Sequence, residues 1–126
     1  MAYKRKIEKY VMCPLEFGFE TFGGKWKSRI ICLLNYYKTL RYNQLKKELT
    51  NISDTILAQM LKELINDGII DRMQFNEIPP HVEYSLSNKG KSLHPILKNI
   101  CKWSKENLED KLVKKHPACL TCNEPK

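Results

Sequence analysis

The chain has 126 residues and a formal net charge of +8, because Lys and Arg outnumber Asp and Glu by 22 to 14. This length fits one domain with a substantial core. The sequence shows neither a run of the roughly 18 apolar residues that cross a bilayer nor a secretory signal behind its basic N-terminus. We therefore expect a cytoplasmic protein with no membrane partner that binds a polyanion.

Five cysteines stand at positions 13, 32, 101, 119 and 122. Their odd number, without an export signal, argues against a structural disulfide framework. We expect reduced thiols, and Cys32, beside Leu33 on a predicted helix, is interpreted as an inert core residue.

The chain begins with a basic arm over residues 1–12. Pro14 suits the first turn of a helix, since its missing N–H is not needed there. The pattern predicts that this helix covers Leu15–Phe22 and stops at Gly23-Gly24.

A second helix is predicted over Lys25–Tyr37. Its buried face is marked by apolar residues at helical spacing, namely Trp26, Ile30, Leu33 and Leu34. Three basic residues lie off that stripe, namely Lys25, Lys27 and Arg29.

Two further helices are predicted, joined by a short turn. The first is predicted over Arg41–Thr50 and the second over Ser53–Asp67, opened by Ser53 as N-cap and closed by Gly68. The second helix has an apolar stripe of Ile56, Leu57, Met60, Leu61 and Leu64. Its polar residues face away from that stripe, namely Asp54, Thr55, Gln59, Lys62 and Glu63.

Two strands follow, predicted over Ile69–Phe75 and Val82–Leu86. Asn76–His81, which contains Pro79-Pro80, forms the tip between them. A helix pair followed by a hairpin is the plan of a winged helix-turn-helix, which places one helix in the DNA major groove. The predicted fold is mainly α with a small β-hairpin (α+β).

Ser87 is predicted to cap a last helix over Asn88–Leu108, which Pro95 kinks or interrupts. This helix carries a long apolar stripe formed by Leu93, Leu97, Ile100, Trp103 and Leu108. An apolar face on a terminal helix needs a cover, and a second subunit is the simplest one.

Several short blocks in this order resemble the HxlR-type winged helix-turn-helix transcription regulators, within the broader MarR-like group. The blocks are Cys13-Pro14, Gly23-Gly24-Lys25-Trp26, Arg41-Tyr42, Ile52-Ser53, Asp67-Gly68 and Pro79-Pro80-His81-Val82-Glu83-Tyr84-Ser85-Leu86. The resemblance covers residues 13–108, which we take as the domain.

The resemblance implies a homodimer paired through its terminal helices, with two recognition helices on a near-palindromic double-stranded DNA operator. It implies no catalysis, and we expect no cofactor and no metal. Some members sense electrophiles or oxidants through a cysteine at the position of Cys13.

On the recognition helix, Thr55, Gln59 and Lys62 are interpreted as base and phosphate readers, with Ser53 at its start. The alternative for all of them is an ordinary solvated helix face. Asp54 either satisfies the helix N-terminus or accepts from a cytosine amino group.

Three further residues are predicted to contact DNA around this helix. Arg41 lies where it would meet the DNA backbone, unless it forms a surface ion pair with Glu48 or Glu77. Arg72 and His81 flank the wing and could reach the minor groove or its phosphates. The alternative for His81 is an ordinary loop residue, which a histidine after two prolines often is.

Cys13 is the predicted redox-sensing residue, with Cys101 of the other subunit as its resolving partner. A cysteine at a helix N-terminus beside basic residues is placed to react with quinones, aldehydes and peroxides. The alternative is that Cys13 is a small buried apolar residue.

The tail, residues 109–126, contains a CxxC formed by Cys119 and Cys122, with His116 before it. A structural zinc site needs four ligands, so this pair alone is a weak signal. It leaves open a small thiol redox or metal-binding protein as an alternative function. Another alternative is a winged helix used only for protein contacts.

Overall fold

The computed structural model describes residues 13–109, which form six helices and a three-stranded sheet. The elements are α1 (Pro14–Phe22), α2 (Lys27–Tyr37), β1 (Thr39–Leu40), α3 (Tyr42–Glu48), α4 (Asp54–Asn66), β2 (Ile70–Phe75), β3 (His81–Leu86), α5 (Asn88–Lys91) and α6 (His94–Asn107). The helix pair is α3 and α4, and the wing is the hairpin of β2 and β3. The predicted α+β winged helix-turn-helix fold is confirmed.

The turn between α1 and α2 explains where both helices stop and start. Pro14 lies in the first turn of α1, and the backbone N–H of Gly23 closes the helix on the carbonyl of Phe19 at 2.8 Å. Gly24 has a φ of 85°, a conformation that glycine adopts without a steric penalty. Helix α2 begins two residues later than predicted because Trp26 occupies its N-cap.

The recognition helix α4 begins as predicted. The hydroxyl oxygen of Ser53 accepts from the backbone N–H of Ile56 at 3.1 Å, so Ser53 is its N-cap. Helix α3 is shorter than predicted because Arg41 serves as its N-cap and Leu49 as its C-cap. The two residues after Leu49 have positive φ, which takes the chain out of the helix and into the turn.

The sheet contains one strand more than the predicted hairpin. Strand order is β1-β3-β2, and both pairings are antiparallel. In the wing, Arg72 pairs with Tyr84, and Phe75 pairs with His81 at the end nearest the tip. Strand β1 adds only Thr39 and Leu40, a segment too short for a periodicity of two to reveal.

The predicted break in the last helix is confirmed. Helix α5 ends at Lys91, and α6 begins at His94 with Pro95 in its first turn, where a proline costs no hydrogen bond. Ser87 caps α5, since its hydroxyl accepts from the N–H of Gly90 at 3.0 Å.

The core lies between the helices and one face of the sheet. Its least exposed large side chains come from α2, from the helix pair and its ends, and from the start of the wing. They are Ile30, Ile31, Leu34, Leu45, Leu49, Leu57, Leu64, Ile69 and Ile70. Side chains of α2 and α4 share this core, which leaves the polar side of α4 facing outward.

Three side chains differ from their predicted surroundings. Lys27, predicted to lie off the buried stripe, is buried, and Glu63, predicted to face away, is half-buried against it. Trp26, predicted as core, is half-buried at the edge of the core. Lys25 Nζ and Arg29 Cζ lie 4.8 and 4.9 Å from the centre of its ring, so two cations cover the indole.

The N-terminal arm and the segment from residue 110 onward lie outside the described residues. The predicted CxxC of Cys119 and Cys122, with His116, therefore lies outside them as well. Among the helices of residues 13–109, none combines the length and apolar character that crossing a bilayer requires.

Candidate nucleic-acid interface

The outward face of α4 is a continuous polar surface. Thr55, Gln59 and Lys62 are exposed and follow each other at spacings of four and three, so they share one side of the helix. Ala58 is exposed on the same helix, although the sequence did not single it out. A methyl group there can contact the methyl group of a thymine.

Asp54, at the first residue of α4, is held by α3. Lys46 Nζ lies 2.8 Å from Asp54 Oδ1, and the Tyr42 hydroxyl donates to the same oxygen at 3.0 Å. The hydrogen bonds from Lys46 and Tyr42 lower the pKa of Asp54 below its ordinary value. Asp54 is thus a link between the two helices, and neither Lys46 nor Tyr42 was predicted as part of the site.

The pKa of the Tyr42 phenol shifts in the opposite direction to that of Asp54. Burial, followed by the hydrogen bond to Asp54, raises the pKa of Tyr42 above its ordinary value. The Tyr42 hydroxyl therefore stays protonated and remains a donor to the ionised carboxylate. A pair of residues four apart on α3, Tyr42 and Lys46, is the local signal that could have indicated this contact.

Gln59 belongs to a second chain of contacts, which runs toward the interior. Its Nε2 donates to Glu63 Oε2 at 3.1 Å, and Glu63 Oε1 accepts from Lys27 Nζ at 3.0 Å. Lys27 Nζ also donates to the carbonyl oxygen of Glu20 on α1 at 3.3 Å. A residue of the outward face is thereby connected to two of the core helices.

Lys62 and Arg72 lie on the same groove between α4 and the wing. The groove has a volume of about 440 Å³ and is lined by Tyr42, Ala58, Leu61, Lys62, Ile65, Arg72 and Tyr84. The structure therefore brings Arg72 beside the recognition helix, three residues inward from the end of its strand. Two cations on one groove favour the approach of an anionic backbone.

His81 lies at the other end of the wing, near its tip, and its ring is already engaged. The ring stacks on Phe75 with centroids 4.7 Å apart. Nε2 is 3.0 Å from Glu83 Oε2, and Nδ1 is 3.6 Å from Glu77 Oε2. Two carboxylates beside the ring make His81 a poorer phosphate contact than Arg72.

Arg41 is exposed at the N-cap of α3, on the surface next to the helix pair. Its backbone N–H donates to the side-chain oxygen of Gln44 at 2.8 Å, which fixes the backbone at the helix start. Of the acidic residues considered as its partners, Glu48 accepts from Tyr37 and Glu77 lies beside His81.

Helices α1 and α6 each carry exposed large hydrophobic side chains, which we call together the apolar surface of α1 and α6. A soluble monomer rarely leaves such side chains exposed in groups. The exposed residues are Leu15, Phe17 and Phe19 on α1, and Ile96, Ile100 and Trp103 on α6. Leu97 alone of the predicted stripe on α6 is fully buried in the core.

The two cysteines of the predicted redox pair lie on the helices that carry this surface. Cys13 is the N-cap of α1 and is exposed, as predicted for a reactive position, whereas Cys101 is half-buried on α6. Cys32 is half-buried and packs against the core. Within residues 13–109, no three His, Cys, Asp or Glu side chains are grouped so as to hold a metal ion.

Comparison with known proteins agrees with this geometry. The model of a family described as HxlR-like helix-turn-helix matches residues 21–112. An uncharacterized HTH-type transcriptional regulator of Bacillus subtilis, YdzF, is 44% identical over 90 residues, which cover 71% of this chain and 83% of that protein.

Two solved structures are similar as well. The redox regulator HypR in its oxidized form is 34% identical with a TM-score of 0.69, covering 77% of this chain and 99% of that one. The reduced transcriptional regulator YodB from B. subtilis is 31% identical with a TM-score of 0.70, covering 79% of this chain and 97% of that one.

Proposed function

The chain belongs to the HxlR-like helix-turn-helix family and is a transcriptional regulator with a helix-turn-helix DNA-binding fold; from this premise we propose that it works as a homodimer. Two copies of α4 enter successive major grooves of a near-palindromic operator, about 34 Å apart. The observation that carries the proposal is the exposed polar face of α4, set beside the two cations of the groove.

The proposed division of labour follows from the position of each side chain. Base edges in the DNA major groove are contacted by Thr55, Gln59 and Ala58. DNA phosphates at the edges of the major groove are contacted by Lys62 and Arg72. Arg41 contacts the backbone next to α3. Ser53 and Asp54 act mainly by fixing the start of α4, because the Ser53 hydroxyl caps the helix and Asp54 Oδ1 is held by Lys46 and Tyr42 of α3.

Dimerisation is proposed through the apolar surface of α1 and α6. A second copy would cover side chains such as Phe19, Ile100 and Trp103, which are each more than two-fifths exposed in the single chain. Burying apolar area of this kind contributes about 25 cal/mol per Å², which favours association against the loss of translational and rotational freedom.

We further propose that Cys13 makes the regulator responsive to electrophiles or oxidants. In this scheme the Cys13 sulfur adds to a quinone ring, forming one C–S bond, and the ring takes up the thiol proton to become a hydroquinone. With diamide, two thiols such as Cys13 and the second subunit's copy of Cys101 give up two hydrogens to the N=N bond and form a disulfide. The similarity to HypR, a redox regulator, supports this proposal.

The proposal is tested by selecting duplexes from a random-sequence library with the purified chain and titrating the enriched duplex at 50 and 200 mM salt. If the dimer makes six to ten phosphate contacts, raising the salt over that range should lower its affinity by a factor of about 10³ to 10⁵. Failure to enrich any sequence, together with binding that does not depend on salt, would reject the function.

A further inference from the structure

The most deeply placed charge pair of the described residues lies directly behind the proposed DNA-reading face. The side chain of Lys27 is only 9% exposed and that of Glu63 18%, and their charged groups are 3.0 Å apart. Neither residue lines the groove between α4 and the wing. Two apolar side chains at these positions would often give equal or greater stability than a buried ion pair. The pair therefore calls for an explanation beyond packing.

Glu63 uses its two oxygens in different directions. Oε1 accepts from Lys27, on the inner side, and Oε2 accepts from the side-chain amide of Gln59, on the outer side. Lys27 is itself anchored to the carbonyl of Glu20 at the end of α1. The carboxylate is thus fixed from behind by a cation that has little freedom to move.

We propose that Lys27 and Glu63 are positioning residues that set Gln59 to read an adenine. The inference rests on the proposed function, because it assumes that the outer face of α4 meets base edges.

The side-chain amide of Gln59 has a donor end and an acceptor end. An ionised carboxylate can only accept hydrogen bonds, so the amide group of Gln59 must turn its nitrogen, and not its oxygen, toward Glu63. A glutamine on an open helix surface can present either end of its amide. The contact with Glu63 removes that choice, and the Gln59 oxygen is directed to the other side.

One of the two amide hydrogens is used by this contact. In the proposed arrangement Glu63 takes the hydrogen that points away from the Gln59 oxygen. The second hydrogen then lies beside that oxygen, and the two are left for a ligand as a donor and an acceptor side by side. Adenine offers the complementary pair in the major groove, an N7 acceptor next to an N6 amino donor. Guanine offers two acceptors there, so a fixed Gln59 amide is a poor match for it.

The Lys27–Glu63 contact keeps the Gln59 amide in this orientation at the salt concentrations used for DNA binding. A Gln–Glu pair four residues apart on an exposed helix is weak by itself. Exposed charges are also screened by salt, whereas partly buried pairs are screened much less. The burial of Lys27 therefore gives Gln59 a fixed neighbour under conditions in which the surface contacts of the site weaken.

The test is to repeat the selection from a random-sequence duplex library with full-length variants. Gln59→Ala first identifies the operator position that Gln59 reads, because the base preference there is lost. In the parent this position is expected to prefer adenine by about tenfold or more over guanine, within the range of one good bidentate contact.

Two variants then test the positioning. Glu63→Gln keeps the size of the side chain but lets it donate as well as accept, so the amide of Gln59 can turn. Lys27→Met/Glu63→Leu removes both charges, keeps the net charge of the chain and fills the space with apolar groups, a replacement that cores often tolerate. Both are expected to reduce the adenine preference at that position to within about threefold, with preferences elsewhere in the operator unchanged.

Glu48→Gln is the matched control for Glu63→Gln. It makes the same change of charge on α3, where Glu48 accepts a hydrogen bond from Tyr37 of α2. This variant should keep the parent's preference for adenine.

Three results would overturn the inference while leaving the regulator itself intact. They are an unchanged adenine preference in a folded Glu63→Gln or Lys27→Met/Glu63→Leu variant, no position altered by Gln59→Ala, and a preference for another base at the Gln59 position. If the parent enriches no sequence at all, the proposed function fails instead.

Discussion

Lys46 Nζ lies 2.8 Å from Asp54 Oδ1, so the last turn of α3 is joined directly to the first residue of the recognition helix. The Tyr42 hydroxyl reaches the same carboxylate oxygen, and these contacts fix how α4 leaves the turn. A carboxylate so close to the proposed DNA surface would repel phosphates if it stood alone. The Lys46 cation offsets that charge while it holds the two helices together.

The Asp54 contact predicts a pH-dependent contribution to stability. The pKa of Asp54 is lowered in the folded protein, so its contribution is fully present above the ordinary aspartate pKa of 3.8 and is lost as the pH falls through the lowered value. Asp54→Asn should therefore unfold at lower urea concentration than the parent at pH 7 and pH 5. The difference should narrow below pH 4, and a difference that stays constant down to pH 2 would contradict the assignment.

The Ser53 cap gives a prediction about the stability of α4. Ser53→Ala removes the acceptor for the Ile56 N–H and should lower the free energy of unfolding by about 1 kcal/mol, measured by urea denaturation. Thr55→Ala is the control, because Thr55 is exposed in the same turn and surface changes usually stay within about 0.5 kcal/mol. Equal effects of the two substitutions would mean that the cap is not what stabilises the helix start.

The apolar surface of α1 and α6 predicts a dimer that one charge can disrupt. Ile100→Asp should convert the parent's dimer to a monomer in sedimentation velocity at micromolar concentration, because burying an unpaired carboxylate is costly. Ile78→Asp makes the same chemical change on the wing tip, where Ile78 is fully exposed, and should remain dimeric. A parent that sediments as a monomer would disprove the proposed interface.

The exposed position of Cys13 predicts a response to electrophiles. After treatment with a quinone, the parent should carry an adduct on Cys13, located by peptide mass mapping, and bind its selected duplex more weakly. Cys13→Ser should keep its affinity after the same treatment, whereas Cys32→Ser should behave as the parent, since Cys32 packs against the core. If Cys13→Ser responds as the parent does, Cys13 is not the sensor.

Much of the fold followed from local chemistry. Pro14, Ser53 and Pro95 mark helix starts because each suits a position where backbone N–H groups lack helical partners, and Gly68 marks an end because it adopts a φ of 74°. Such signals need only a few neighbouring residues, so the sequence contains them in full. The exposed face of α4 could also be predicted from local sequence, because the spacing of its apolar residues shows which side of the helix is buried.

The contacts behind that face could not be predicted in this way. Lys27 and Glu63 are 36 residues apart, and periodicity alone assigns a charged residue to the surface because charges are seldom buried without a partner. Only the packing of α2 against α4 supplies that partner. The same holds for Arg72, since strand register brings it beside Lys62 on one groove.

The most direct test of the account is the salt dependence of DNA binding in a variant of the recognition helix. For the selected duplex, Lys62→Ala should weaken binding and reduce the slope of log affinity against log salt by about 2, because each of the two subunits loses one phosphate contact. Lys102→Ala removes the same charge from an exposed position on α6, a helix proposed to pair subunits and not to meet DNA, and should leave the slope unchanged. A slope for Lys62→Ala that equals the parent's, with unchanged affinity, would contradict the claim that the outward face of α4 lies against DNA.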